Sequence, residues 1–160
     1  MNKDTNTTDW TARQLRHDDI GALRTIIDAN QLFPSDMLDD MTSPYLVDPD
    51  GEERWFVIED QVPVGVAYSA PERMTDGTFN LLLIAVHPDH QGRGIGKALM
   101  RAAEEDLVAR GARILLVETS GLDAFERPRS FYSGIGYGEE ARIRDYYASG
   151  EDKVTFRKEL

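Results

Sequence analysis

The chain has 160 residues, no cysteine, and 29 acidic against 18 basic residues, which gives a formal charge of −11. This length suits one domain with a sizeable core, which we predict over residues 10–160 behind a polar tail at 1–9. The lack of cysteine excludes a disulfide framework and a thiolate nucleophile. The strong negative charge disfavours nucleic acid binding, because phosphate contacts dominate that affinity. The same charge either attracts cationic amines or only keeps the protein soluble.

The longest apolar run, Leu81 to Val86, is only as long as a strand, so we expect no membrane association. The polar segment Met1 to Asp9 has no apolar stretch of the kind that a signal peptide contains. We therefore expect a cytoplasmic protein.

Apolar spacing and turn residues predict the elements of the first half of the chain. In order, these are a strand at Trp10–Leu15, a helix around Ile20–Ile27 behind an acidic N-cap at His17-Asp18-Asp19, a short helix at Ser35–Met41, a loop at Pro44–Glu53, a hairpin of strands Arg54–Glu59 and Val62–Ala70, and a loop at Pro71–Gly77.

The second half is predicted to alternate strands and helices before it closes with two strands. The predicted elements are a strand at Thr78–Val86, a helix from about Ile95 to Arg110 that stops at Gly111, a strand at Arg113–Glu118, a helix that begins at Pro128, and strands at Tyr137–Tyr147 and Lys153–Glu159. Thr78–Val86 is apolar on both faces, which is typical of a central strand. The order indicates an α+β fold with a mixed, mostly antiparallel central sheet of about seven strands flanked by about four helices on both faces.

A glycine-rich loop, Gln91-Gly92-Arg93-Gly94-Ile95-Gly96-Lys97, joins this central strand to the next helix. Glycine permits close approach of a ligand to the backbone, and the first turn of a helix offers unpaired N–H groups to a pyrophosphate. Arg93 and Lys97 add positive charge there. The Rossmann pattern fails because Lys97 stands where its third glycine is needed, and the P-loop pattern fails on glycine spacing and on Ala98.

This loop resembles the pyrophosphate motif Q/R-x-x-G-x-G/A of the GCN5-related N-acetyltransferase (GNAT) family, matched here by Gln91, Gly94 and Gly96. The later segment Phe131–Tyr137 resembles the family's second hallmark, an aromatic-Tyr pair followed by Gly-aromatic. The resemblance covers roughly Trp10 to Leu160. It implies the acyl-CoA N-acyltransferase fold, acetyl-CoA as co-substrate without a metal, and direct transfer of the acetyl group to a primary amine.

The resemblance also implies residue roles. Backbone groups of Ile84, Ala85 and Val86 would pair with the acyl and pantetheine amides, and the Ile84 N–H would polarise the thioester. The remaining residues implied to hold the coenzyme are Gln91, Gly92, Arg93, Gly94, Ile95, Gly96 and Lys97. Tyr132 would protonate the leaving sulfur.

The expected general base departs from the family pattern. Asn80 stands where some members have a glutamate, and an amide can hold a water but cannot take a proton. Glu118 at the end of the following strand is the substitute that we expect, either as a buried base or as an exposed strand end. Phe125 replaces an asparagine that many members place near the coenzyme. Arg127 and Arg129 either contact the coenzyme or an acidic substrate group, or are solvated.

Other polar residues carry weaker signals. His87 and His90 lack further ligands at metal-site spacing and indicate a polar loop. Tyr146 and Tyr147 either wall the acceptor pocket or pack an edge. We expect a small-molecule amine as acceptor, with a protein amine as the alternative. Members of the family are often dimers, so a homodimer is one possible state, and the sequence leaves the oligomeric state open. The rival function is a catalytically silent acyl-CoA-binding sensor or regulatory module.

Overall fold

The computed structural model describes residues 9–160, so the tail predicted at 1–9 lies outside the described residues except for Asp9. The strands and helices, numbered in chain order, are β1 (Arg13–Gln14), α1 (Ile20–Asn30), α2 (Leu38–Val47), β2 (Arg54–Asp60), β3 (Val62–Pro71), β4 (Thr78–Val86), α3 (Ile95–Ala109), β5 (Ile114–Ser120), α4 (Glu126–Gly134), β6 (Gly138–Ala148) and β7 (Glu151–Glu159). None of the helices in residues 9–160 has both the length and the apolar character that crossing a bilayer requires.

The described strands form one seven-stranded sheet in the order β1-β2-β3-β4-β5-β7-β6. Neighbours are antiparallel except β4 and β5, which run parallel. A parallel pair needs a crossover connection, and α3 supplies it. The predicted fold class, a mixed and mostly antiparallel sheet of about seven strands with four helices, is confirmed.

Helices cover both faces of the sheet because each carries one apolar stripe. On one face α1 and α2 bury residues such as Leu23, Ile27 and Leu38 against β2, β3 and β4. On the other face α3 and α4 bury Leu99 and Tyr132, among others, in a second cluster. The four-residue spacing seen in α3 is what a single buried stripe requires.

The loop predicted at Pro44–Glu53 is wrong in its first part, because α2 continues through Pro44 to Val47. Proline removes one helical hydrogen bond, but burial of Thr42 and Tyr45 on either side holds the helix in place. The Tyr45 hydroxyl also donates to the Leu15 carbonyl at 3.3 Å. Tertiary packing therefore overrides the local signal.

Other predicted boundaries shift by a few residues. The first strand is limited to Arg13–Gln14, although the Leu15 N–H still donates to the Trp55 carbonyl at 3.2 Å. The carboxylate of Asp19 accepts from the Arg16 N–H at 2.7 Å, so it caps the turn before α1 rather than α1 itself. Helix α4 begins at Glu126, which places Pro128 in the first turn, where N–H groups have no helical partner.

Arg54 anchors the C-terminal half of α3 to β2. The residue is only 2% exposed. Its guanidinium donates to the Asp106 carboxylate at 2.8 Å and to the Pro49 carbonyl at 2.6 Å. A buried cation is tolerated because it is paired and hydrogen-bonded in this way. Helix α3, whose other end meets the glycine loop, is thereby fixed to the sheet.

Replacing Arg54 with Met should lower the free energy of unfolding by about 3 kcal/mol or more, because it leaves a partly buried carboxylate without its main partner. The matched control is Arg24→Met, which removes an ion pair to Asp39 between two exposed side chains. That control should cost less than about 1 kcal/mol. Denaturant unfolding of both variants measures the difference, and equal losses would contradict the anchoring role of Arg54.

Candidate active site

A cleft opens where β4 and β5 separate. The two strands pair only from Thr78 opposite Ile114 to Leu81 opposite Val117, although both continue beyond these residues. Leu82 is an extra residue between the β4 residues that pair with Tyr68 and Ser69 of β3. Such a bulge bends its strand and increases the local twist. The resulting cleft has a volume of about 790 Å³.

The edge of β4 presents backbone groups to this cleft. The His87 N–H donates to the Val64 carbonyl at 2.8 Å. Because pairing alternates along an antiparallel strand, Ala85 also directs its N–H and C=O toward β3. The backbone groups of Ile84 and Val86 point the other way, into the cleft. Ala85 therefore lines the cleft while its backbone groups pair with β3, so its place in the coenzyme site stays a prediction.

Two side-chain amides donate hydrogen bonds to the carbonyl oxygen of Val86. Asn30 Nδ2 donates to it at 3.0 Å and Gln91 Nε2 donates to it at 3.1 Å. Gln91 also donates to the Asn30 side-chain oxygen at 3.3 Å. The predicted loop residue Gln91 thus braces the loop against the end of β4. Asn30 was not predicted, since no local pattern marks it.

The glycine loop leads directly into the first turn of α3. Gly92 and Gly94 adopt left-handed φ angles of 77° and 84°. A Cβ atom at either position would meet no atom within 4 Å. The predicted residues that line the cleft here are Gln91, Gly92, Gly94, Ile95, Gly96 and Lys97. Arg93 is not among the lining residues, and its carbonyl accepts from the Trp10 indole at 2.9 Å.

Tyr132 reaches the cleft from α4 and is only 6% exposed. Its ring packs against Phe131, Tyr137 and Phe156, with centroids 5.4, 6.2 and 5.7 Å away. Burial raises the pKa of Tyr132 to about 12. The phenol is therefore protonated at neutral pH and can donate a proton into the cleft.

Glu118 lines the cleft from β5, and 30% of its side chain is exposed. Its Oε1 lies 3.3 Å from the Lys153 Nζ of β7, so the carboxylate is neither deeply buried nor unpaired. Lys153 was not predicted, because the pairing of β5 with β7 cannot be read from local sequence.

Glu118 and Tyr132 approach the cleft from opposite faces of the sheet. Leu115 and Val117 of β5 pack in the cluster formed with α3 and α4, the cluster that contains Tyr132. Successive side chains of a strand point to opposite faces. Glu118 therefore lies on the face that carries α1 and α2, and the cleft connects the two faces.

Asn80 is buried beside the cleft and is not among its lining residues. Its Nδ2 donates to Glu72 Oε1 at 2.8 Å. Its Oδ1 is buried and has no hydrogen-bond partner among the described residues. The structure thus brings Tyr132 and Glu118 to one cleft but does not bring Asn80 there.

Of the three residues predicted near the start of α4, two line the cleft and one holds the preceding loop. Phe125 and Arg127 line the cleft. Arg129 instead donates to the carbonyls of Ser120 and Leu122, at 2.7 and 2.8 Å, and so shapes the loop between β5 and α4.

The two loop histidines make local contacts. His87 Nδ1 accepts from the Asp89 N–H at 3.2 Å. His90 lines the cleft, and its Nε2 lies 3.4 Å from Asp60 Oδ2. Across residues 9–160, no three His, Cys, Asp or Glu side chains are grouped so that they could hold a metal ion.

Known proteins resemble this chain in sequence and in fold. The model of the acetyltransferase (GNAT) family matches residues 17–137. The [ribosomal protein bS18]-alanine N-acetyltransferase of Escherichia coli strain K12 is 32% identical over 73 residues, which are 46% of this chain and 48% of that protein. The chain thus spans about half the length of the curated relatives that it matches.

Solved structures extend the likeness over nearly the whole chain. A GNAT-family protein from Desulfovibrio desulfuricans is 28% identical, with a TM-score of 0.87 over 94% of this chain and 99% of that one. The protein yncA from Salmonella typhimurium, solved with its cofactor acetyl-CoA, shares the fold at 18% identity, with a TM-score of 0.76 over 94% of each chain. From the family match and the fold, we conclude that this chain belongs to the GNAT acetyltransferase family.

Proposed function

We propose that the chain transfers an acetyl group from acetyl-CoA directly to a primary amine. One observation carries the proposal: a protonated phenol, Tyr132, and a carboxylate, Glu118, line the same cleft as the open edge of β4 and the first turn of α3. Direct transfer between two bound substrates needs a proton acceptor, a proton donor and precise positioning. Residues that line the cleft are candidates for both proton-transfer roles, which supports the proposal.

The residues present fit acetyl-CoA. A volume of about 790 Å³ lies in the range of small-molecule and cofactor sites. The open edge of β4, with Ile84 facing the cleft, can pair with an extended amide chain as a further strand would. The first turn of α3, with Lys97 and Arg127 near it, suits a pyrophosphate in an otherwise acidic protein. When bound, acetyl-CoA supplies an activated thioester.

The chain's own groups then divide the chemistry. The Ile84 N–H donates to the thioester oxygen and stabilises the charge that develops there. Glu118 takes a proton from the ammonium of the acceptor, so that the neutral nitrogen bonds to the acetyl carbon. As the carbon–sulfur bond breaks, Tyr132 protonates the sulfur. The nitrogen that has bonded to the acetyl carbon loses one proton as the amide forms, and this proton restores the phenol through solvent. Glu118 gives the proton that it took from the ammonium to solvent.

The acceptor is proposed to be a small-molecule amine, and a protein N-terminus is the second candidate. The second candidate rests on the curated relative, whose name states that it acetylates an alanine of ribosomal protein bS18. Cytoplasmic location and homodimer formation stay predictions.

Thiol release from acetyl-CoA, measured against a panel of amines, tests the function. The panel should hold diamines, amino acids, amino sugars and short peptides with alanine at the N-terminus, with mass spectrometry of each product. An acetylated amine formed in step with thiol supports the proposal and identifies the acceptor class. Tight acetyl-CoA binding by calorimetry with no acetylated product would favour the sensor.

Gly94→Ala should weaken acetyl-CoA binding at least about tenfold, or about 1.4 kcal/mol, because its methyl group occupies the space in which the pyrophosphate is proposed to lie. Gly111→Ala is the matched control. Gly111 follows the opposite end of α3, has a φ of 83° against 84° at Gly94, and likewise has no atom within 4 Å of an added Cβ. Both variants should therefore lose similar stability. Calorimetry that finds equal acetyl-CoA affinity in the two variants would remove the loop from the site.

Tyr132→Phe should lower turnover about 10²-fold or more, the usual loss when a general acid is removed. Ring packing and acetyl-CoA affinity should persist, because only the hydroxyl is lost. Tyr137→Phe is the control. Tyr137 packs beside Tyr132, but its hydroxyl donates to Glu104 at 2.7 Å and it does not line the cleft. Undiminished turnover in Tyr132→Phe would end its assignment as the acid.

Glu118→Gln should remove the acidic limb of the kcat/KM profile, since glutamine cannot take the proton from the ammonium. The measurement is thiol release across pH with the accepted amine. If the limb remains and follows the pKa of the amine itself, then solvent is the base and Glu118 is not.

A further inference from the structure

Lys153 is a cation beside Glu118 for which the mechanism above has no use, and it is not among the residues that line the cleft. Its side chain is 11% exposed, and its Nζ lies 3.3 Å from Glu118 Oε1. The ammonium also lies 4.0 Å from the centroid of the Tyr146 ring. Burial disfavours the charged form of a lysine, so a lysine as buried as this one needs compensating contacts.

Burial does not neutralise the Lys153 ammonium. Burial lowers the pKa of Lys153, but the Glu118 carboxylate and the Tyr146 side chain outweigh burial, and the net shift is upward. The lysine is therefore cationic over the whole working pH range.

A kink in β6 holds Tyr146 in this position. Pairing between β6 and β7 is interrupted between Ile143 and Ala148, and Asp145 adopts a left-handed φ of 55°. The Asp145 carboxylate accepts from the Gly150 N–H at 2.7 Å, and its N–H donates to Asp152 at 3.0 Å. The kink is thus braced from both sides.

The other charged and titratable groups near Glu118 come from three places. Tyr147 of β6 lies perpendicular to Tyr146 at 5.0 Å between centroids, and its pKa is raised by burial and then by the Glu118 charge. Glu151 lies at the start of β7 and acts on Tyr147 in the same direction. Arg127 faces the cleft from α4. On the β4 side, the cleft is lined by the apolar residues Leu81–Val86.

We propose that Lys153 is a positioning residue that holds the Glu118 carboxylate at the cleft wall, where the carboxylate can take the proton of the acceptor. The inference rests on the proposed function, in which Glu118 is the base. The ion pair engages Oε1, and among residues 9–160 Glu118 Oε2 has no hydrogen-bond partner, so this oxygen is free for the acceptor ammonium. Tyr146 and the kinked β6 keep the lysine in place.

Lys153→Met tests this, because it keeps the aliphatic stem and removes the charge. We expect the acidic limb of the kcat/KM profile to move to higher pH, while KM for acetyl-CoA is unchanged. Lys153→Arg should restore the limb. The control is Lys158→Met, which breaks another ion pair of β7. Lys158 pairs with Glu104 at 3.0 Å, and neither residue lines the cleft, so this variant should leave the pH profile unchanged.

A second measurement needs no acceptor. Carbon-detected NMR of glutamate side chains, with the Glu118 resonance assigned by its loss in Glu118→Gln, follows the carboxyl directly. The titration midpoint of this carboxyl group should rise in Lys153→Met. It should rise less in Tyr146→Leu, which removes the ring that packs against the Lys153 ammonium but keeps the lysine itself. If Lys153→Met moves only the melting temperature, the lysine merely joins β5 to β7 and the proposal is overturned.

The two proposals can fail separately. An acidic limb that survives in Glu118→Gln ends the assignment of Glu118 as the base, and the positioning role ends with it. A limb that disappears in Glu118→Gln but stays in place in Lys153→Met leaves the base intact and overturns only the role of Lys153.

Discussion

The loss of pairing between β4 and β5 beyond Leu81 and Val117 is the constraint on which the site depends. Buried backbone N–H and C=O groups must find partners, and an interior sheet edge without them is costly. The chain satisfies the carbonyl of Val86 internally, through Asn30 and Gln91. The neighbouring groups of Ile84 stay open to the cleft, and the proposed function uses them to pair with the amides of the ligand.

Helix α3 turns this opening into a site for a charged ligand. Its first turn faces the cleft, while Arg54 fixes its far half to β2 through Asp106. A helix held in this way keeps its N-terminal N–H groups aimed at one place, which lowers the cost of ordering them on binding. Lys97 adds positive charge where the rest of the chain, at −11, is strongly negative.

Local patterns predicted the element order and the glycine loop, because period and turn chemistry are encoded within short segments. The family resemblance singled out Tyr132, and this residue lines the cleft. The path of the chain through Pro44 depended instead on burial of Tyr45 in the folded protein. Partners distant in sequence were not predictable. Asn30 is 56 residues from the Val86 carbonyl that it binds, and Lys153 is 35 residues from Glu118. Such contacts follow from strand register and helix docking, which one sequence does not display.

The two faces of the sheet separate the proposed acid, Tyr132, from the proposed base, Glu118. Tyr132 lies among aromatic rings on the α3 and α4 face, where burial raises its pKa to about 12 and keeps its proton on. Glu118 lies on the other face, partly exposed and 3.3 Å from the Lys153 ammonium. Because the cleft joins the faces, the proposed amine enters beside Glu118 and the thiol leaves beside Tyr132.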